Sequence, residues 1–168
     1  MKKSDDRRAI IIDALAGHVL AHGIAASSLR PLAEAAGLSD RMLLYYFKDK
    51  AEVMAAALGR VAERLTALMA QKAQARTLPP AALRDALLPM LLSDALWPYM
   101  CVWLELAALS ARGDPLYRGI GEAIGRGFLA WGRAHLDSPA ERLDADAHAL
   151  LTEIEGTLLL RALGIGPA

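Results

Sequence analysis

The chain has 168 residues, 55% of them hydrophobic, and its 19 basic and 19 acidic side chains cancel. That length gives one or two domains with a sizeable core and excludes a disordered chain, while zero net charge excludes a protein that holds nucleic acid by bulk positive charge. Arg84, Asp85, Asp94 and Glu105 interrupt the most apolar region below the ~18 residues of a membrane span, MKKSDDRRAI lacks the apolar centre of a secretory signal, and Cys101 is alone, so a cytoplasmic protein is expected.

From Asp5 to His22 the apolar residues Ile12, Leu15, Val19 and Leu20, with Ala16 between them, recur at helical spacing, and Gly23 ends the run. Lys2, Lys3, Arg7 and Arg8 at its start are in position to reach phosphate, though such tails are commonly just solvated. His18 and His22 stand four apart, but no third ligand lies near them in sequence, so no metal is expected.

The stretch SSLRPLAEAAGLSDRMLLYYFKDK, residues 27–50, holds two short helices and a glycine turn. Ser27 or Ser28 caps the first, whose Leu29, Leu32, Ala33 and Ala36 follow helical spacing, and Gly37 supplies a left-handed stop. Pro31 is tolerable only in the first turn, which moves the helix start towards Leu29 or Arg30. Ser39 caps the second, Asp40 to Phe47, with Leu43, Tyr46 and Phe47 inward and Asp40, Arg41, Met42 and Tyr45 outward. Helices this short are marginal alone and must dock on neighbours, leaving their outer faces to read something. Side chains at the start of a second helix reach base edges in a major groove. The candidate DNA-binding residues are therefore Ser28, Arg30, Ser39, Asp40, Arg41, Met42, Tyr45, Tyr46 and Lys50. Asp49 and Glu52 form a capping box around Lys50, at the start of the next helix.

An ordinary αα-hairpin has the same spacing. The residue pattern is more specific: Gly23, Arg30, Leu32-Ala33, Ala36-Gly37-Leu38-Ser39, Tyr46-Phe47 and Lys50. With it, the first third of the chain resembles the DNA-binding domain of the tetracycline-repressor (TetR) family of bacterial transcription regulators. The remainder resembles that family only in helical character and in the terminal EGTLLLRAL. Leu44 departs from the pattern, standing where the family usually has a tyrosine thought to touch phosphate; that contact is missing or passes to Tyr45.

A long helix should follow from Lys50 to about Ala75, with Val53, Met54, Ala57, Leu58, Val61, Leu65, Leu68 and Met69 as its buried stripe. Thr77-Leu78-Pro79-Pro80 breaks it and starts a helix to Leu92, apolar at Leu83, Leu87, Met90 and Leu91. The next helix carries WPYMCVWLELAALSA to Arg112, closed by Gly113. Its aromatic cluster offers either plain core or an effector pocket walled by Leu87, Met90, Trp97, Met100, Trp103 and Phe128, with Glu105 anchoring a polar group.

Asp114-Pro115 starts a helix with Ile120, Ile124, Phe128, Trp131 and His135 on one stripe. Its five glycines, Gly119, Gly121, Gly125, Gly127 and Gly132, imply close packing or a deformable wall. Ser138-Pro139 with Glu141 reads as a capping box for the last helix. That helix is apolar on two sides, which calls for a partner on each: the chain's own body and a second copy. Leu151, Ile154 and Leu158 are the expected dimer contacts, in a four-helix interface that the family resemblance also implies.

The expected fold is all-α: an N-terminal three-helix bundle with the helix-turn-helix (residues 1–58), joined by the long helix to an effector-binding and dimerisation domain (59–168). Residues 1–50 carry eight basic and six acidic side chains, so the helix-turn-helix pattern, more than charge, points to DNA. No nucleophilic triad, phosphate loop or metal motif appears, so no enzyme and no cofactor is expected. The expected function is a homodimeric repressor that binds a near-palindromic DNA operator and is released by a small apolar effector. The alternative is an all-helical ligand-binding or interaction protein that reads no specific DNA.

Overall fold

The computed structural model describes residues 2–73 and 76–165, with the backbone alone for residues 2–5 and 73. The side chains of Lys2 and Lys3, and the expected end of the long helix near Ala75, thus lie outside what is described. The fold is all-α: the described residues form eight helices, α1 (Lys2–His22), α2 (Leu29–Ala35), α3 (Asp40–Tyr46), α4 (Lys50–Ala73), α5 (Pro80–Leu91), α6 (Trp97–Ala111), α7 (Pro115–His135) and α8 (Leu143–Ala162). Two compact units form. One holds the residues up to Arg64 together with Cys101–Gly121; the other holds Leu65–Met100 and the residues from Glu122 onward.

In the first unit α1 buries Ile11, Leu15, Ala16 and Val19, while Ile12 and Leu20 are half-buried, so its core stripe is turned from the one expected. Both choices satisfy a 3.6-residue period, and docking against α2 selects between them. Leu32, Ala33, Leu43, Phe47, Val53, Met54, Ala57 and Leu58 complete this core. Two sets of ion pairs join α1 to α4: Arg8 to Glu52 at 2.8 Å, and Arg60 and Arg64 to Asp13 at 3.3 and 2.8 Å. Arg8 also lies over the Phe47 ring, 4.7 Å from its centroid.

The α1–α2 turn has a long-range support. Both carboxylate oxygens of Glu105, on α6, accept from consecutive backbone amides, Ile24 N–H and Ala25 N–H, each at 2.7 Å. Gly23 has φ +80°, and a Cβ there would stand 2.9 Å from Glu105 Oε2, so the close approach and the left-handed backbone both require glycine.

The second unit is built on Leu65, Met69, Leu83, Leu87, Leu91, Leu96, Met100, Trp131, Leu136, Ala147, Leu150, Ile154 and Leu158. Asp114 caps α7, its Oδ1 accepting from Leu116 N–H at 3.0 Å. Of the α7 glycines, Gly132 packs near Ala147, whereas Gly119 and Gly127 face open space. At the other end Leu78 and the chain after α7 exchange backbone bonds, Leu78 N–H to His135 O and Asp137 N–H to Leu78 O.

Two expectations about the last helix need correction. Ser138 caps nothing: its hydroxyl is buried without a hydrogen-bond partner, Pro139–Arg142 forms a turn, and α8 begins at Leu143. Ile154 and Leu158, expected at a dimer contact, are 6% and 1% exposed inside their own unit's core. Leu151 is half-buried. The opposite side of α8 is the open one, with Ala145, Ala149, Thr152, Gly156, Leu159, Leu160 and Leu163 all exposed.

Candidate nucleic-acid interface

Ser28 occupies the N-cap of α2 in an extended conformation, yet its hydroxyl makes no capping bond; Ser27 instead turns inward and donates to Gly23 O at 2.6 Å. Leu29 starts the helix, which leaves Pro31 in the first turn, where its missing N–H costs nothing. The stop is a Schellman turn. Gly37 N–H bonds Glu34 O at 3.0 Å, Leu38 N–H bonds Ala33 O at 2.9 Å, and Gly37 has φ +65°. Ser39 then caps α3, its Oγ accepting from Met42 N–H at 3.3 Å. Ser39 is thus committed to the helix as well as exposed beside it.

Leu43 and Phe47 anchor α3 in the core, and the helix turns Asp40, Arg41, Met42, Leu44 and Tyr45 to solvent. Tyr45 is 80% exposed and its ring meets Tyr46 edge-on, 5.5 Å between centroids. Tyr46 is half-buried, so it supports Tyr45 more than it projects. Arg41, Met42, Leu44 and Tyr45 line one open hollow. Leu44, which entered the sequence argument only as a departure from the family pattern, is part of this surface; period counting alone signals it, since it lies off the Leu43–Phe47 axis.

Arg30 leaves α2 fully exposed but paired, its Nε 3.0 Å from Glu34 Oε1. The hydrogen bond and charge of Glu34, with Asp40 beyond, raise its pKa above that of a free guanidinium. Its charge is permanent and locally balanced. At the start of α4, Glu52 N–H is taken by Asp49 Oδ1 at 2.9 Å and Lys48 N–H by Glu52 Oε2 at 2.7 Å. Asp49 thus caps α4 as the box requires, while Glu52 reaches back one residue beyond it, and Lys50 is exposed beside them.

This helix, Schellman turn, capped helix and outward Arg-Met-x-Leu-Tyr face is the geometry of a helix-turn-helix head. Residues 11–57 match the model of the bacterial regulatory proteins of the tetR family. That stretch is a tetR-type DNA-binding domain. Solved structures with the TetR-like arrangement extend over nearly the whole chain. One, from Streptomyces coelicolor A3(2) and named as a transcriptional regulator, is 27% identical with a TM-score of 0.75, over 96% of this chain and 90% of that one. A TetR-family transcriptional regulator from Cytophaga hutchinsonii shares the fold at 21% identity, TM-score 0.72, over 96% and 86%. The multidrug binding protein EbrR, complexed with imidazole, is 26% identical, TM-score 0.70, over 96% and 82%. Among curated proteins none matches.

The residues expected to wall an effector pocket fall in two groups. Leu87, Met90, Trp97, Met100 and Phe128 belong to one hydrophobic cluster of the second unit, with Leu87 and Met100 fully buried and the others at its margin. Trp103 and Glu105 belong to the first unit. Glu105 is engaged by the α1–α2 turn, a role 80 residues away in sequence that no local pattern discloses. Arg161 closes the Trp97 edge of the cluster, stacking 4.3 Å above the indole and donating to Leu92 O. Among the described residues no group of three or more His, Cys, Asp or Glu is placed to hold a metal, and no helix is long and apolar enough to cross a membrane.

Proposed function

We propose that this chain is a TetR-family transcription regulator, a ligand-responsive repressor acting as a homodimer whose two heads enter successive major grooves of a near-palindromic operator. The observation that carries the proposal is the outward face of α3, where Arg41 and Tyr45 stand on a helix anchored by Leu43 and Phe47. Arg41 reads a base edge, Lys50 and Ser28 take phosphates, and Arg30 exchanges Glu34 for a phosphate when DNA is bound. The functional boundary lies near Gly59, on α4.

Dimerisation belongs to the solvent faces of α7 and α8. Ala123, Gly127, Ala130 and Ala134 recur at helical spacing on the one, and Ala149, Thr152, Gly156, Leu159, Leu160 and Leu163 on the other, all exposed. Small residues let backbones approach and leucines supply buried area, which suits a four-helix contact between two copies. The effector is a small apolar molecule taken up among Leu87, Met90, Trp97, Met100 and Phe128. EbrR, named as a multidrug binding protein, supports that class of ligand. To release the operator it must favour a state in which the heads are no longer ~34 Å apart; a hundredfold preference gives ~2.7 kcal/mol of coupling.

The test is selection of duplexes from a random pool, followed by titration against salt. Arg41→Ala should shrink the ratio of specific to non-specific affinity, and Lys50→Ala should weaken both alike and flatten the salt slope by about one unit. An all-helical interaction protein, the other reading, would enrich no sequence.

A further inference from the structure

Among the described residues, exposed large apolar side chains gather mainly in two places, the end of α8 and the seven residues of α3. The second copy proposed above accounts for the first. It does not account for the second, where Met42 is 44% and Leu44 41% exposed on a helix whose core contacts are made by Leu43 and Phe47. At 100° per residue, Met42 and Leu44 leave α3 on either side of the line through Arg41 and Tyr45, and all four line the same hollow.

Charge does not explain this surface, because Arg30 is closed on Glu34 and Arg41 stands beside Asp40. What it presents is one guanidinium fork between two apolar arms. The fork matches the O6 and N7 acceptors of guanine, and the apolar group that a major groove offers is the C5-methyl of thymine. An apolar protein helix laid there instead would bury the Arg41 guanidinium and the Tyr45 hydroxyl against no partner, at a cost. Resting on the DNA-binding proposal above, we infer that Met42 and Leu44 set operator specificity by contacting thymine methyl groups on either side of a guanine bound by Arg41. The half-site is therefore a guanine with thymines beside it, and part of its discrimination is apolar, insensitive to salt.

Deoxyuridine provides the test, since it keeps every hydrogen bond of thymine and lacks only the methyl group. With the full chain and a duplex recovered by selection, each thymine of the half-site is replaced in turn by deoxyuridine. Affinity should fall about fourfold at each contacted methyl, the equivalent of ~0.8 kcal/mol for one buried carbon. The loss should vanish at one position in Met42→Ala and at another in Leu44→Ala, both exposed sites that can change without touching the core. A selected operator indifferent to deoxyuridine at every thymine overturns the inference, as do penalties that persist unchanged in both variants. A pool that enriches no sequence is a different failure, because it overturns DNA recognition itself.

Discussion

Glu105→Ala removes a single carboxylate that holds two backbone donors of the α1–α2 turn. A hydrogen bond to a charged group contributes roughly 1.5–3 kcal/mol when buried, and less in water. The Ile24 bond is partly buried and the Ala25 bond is exposed, so the pair is expected to contribute about 2–3 kcal/mol. For a chain of this size, with ~2–4 °C per kcal/mol, the melting midpoint should drop by about 4–12 °C. Glu105→Gln keeps one acceptor but sets its NH₂ group against the second amide, and should recover little. A double-mutant cycle with Gly23→Ala isolates the contact. The alanine Cβ would meet Glu105 Oε2 at 2.9 Å, so Gly23→Ala should cost less in the Glu105→Ala background than in the wild type, the remainder being left-handed backbone strain. Urea denaturation followed by circular dichroism measures all four proteins. A loss below ~0.5 kcal/mol for Glu105→Ala, or strict additivity with Gly23→Ala, would refute the clamp.

Ser138→Ala should be neutral or stabilising in thermal denaturation, because the hydroxyl is buried without a partner; a helix cap at that position would instead make it cost about 1 kcal/mol. Gly37→Ala should cost about 1 kcal/mol from backbone strain alone, since a methyl group there meets nothing within 4 Å, and a larger loss would reveal a contact not accounted for. Leu159→Glu with Leu160→Glu should give folded monomers in sedimentation at micromolar concentration, whereas a dimer that survives both would move the interface off α8. Ile154→Glu is expected to unfold the second unit, since it places a charge in that unit's core, and its loss of circular dichroism signal distinguishes the two faces of the helix.

The head was legible from sequence because its instructions are local. Gly37, Ser39, Asp49 and Glu52 each act on amides within a few residues, and Leu43 and Phe47 fix the inner face of α3 without reference to anything distant. The last helix was not, for an equally physical reason: it carries apolar residues around its circumference, and periodicity cannot say which side meets the chain's own core. Ile154 and Leu158 won that side through Trp131, Leu83 and Leu87, residues supplied by other helices. Ser138 misled because a serine three residues before a glutamate is a cap only if the backbone between them is helical, and Pro139–Arg142 folds as a turn. Glu105 was read as the anchor for a polar group of an effector, whereas its carboxylate is taken by the backbone of the turn after α1, 80 residues away.

Helix α1 grips α4 at two separated levels, through Arg8–Glu52 and again, about 12–18 Å further along, through Asp13 with Arg60 and Arg64. One attachment would fix a point and leave a swivel; two fix a direction. Twisting the opening turns of α4 must therefore carry α1 with them, and Phe47 beneath Arg8 draws α3 into the same block. The outer face of α3 is then turned as a solid handle rather than bent.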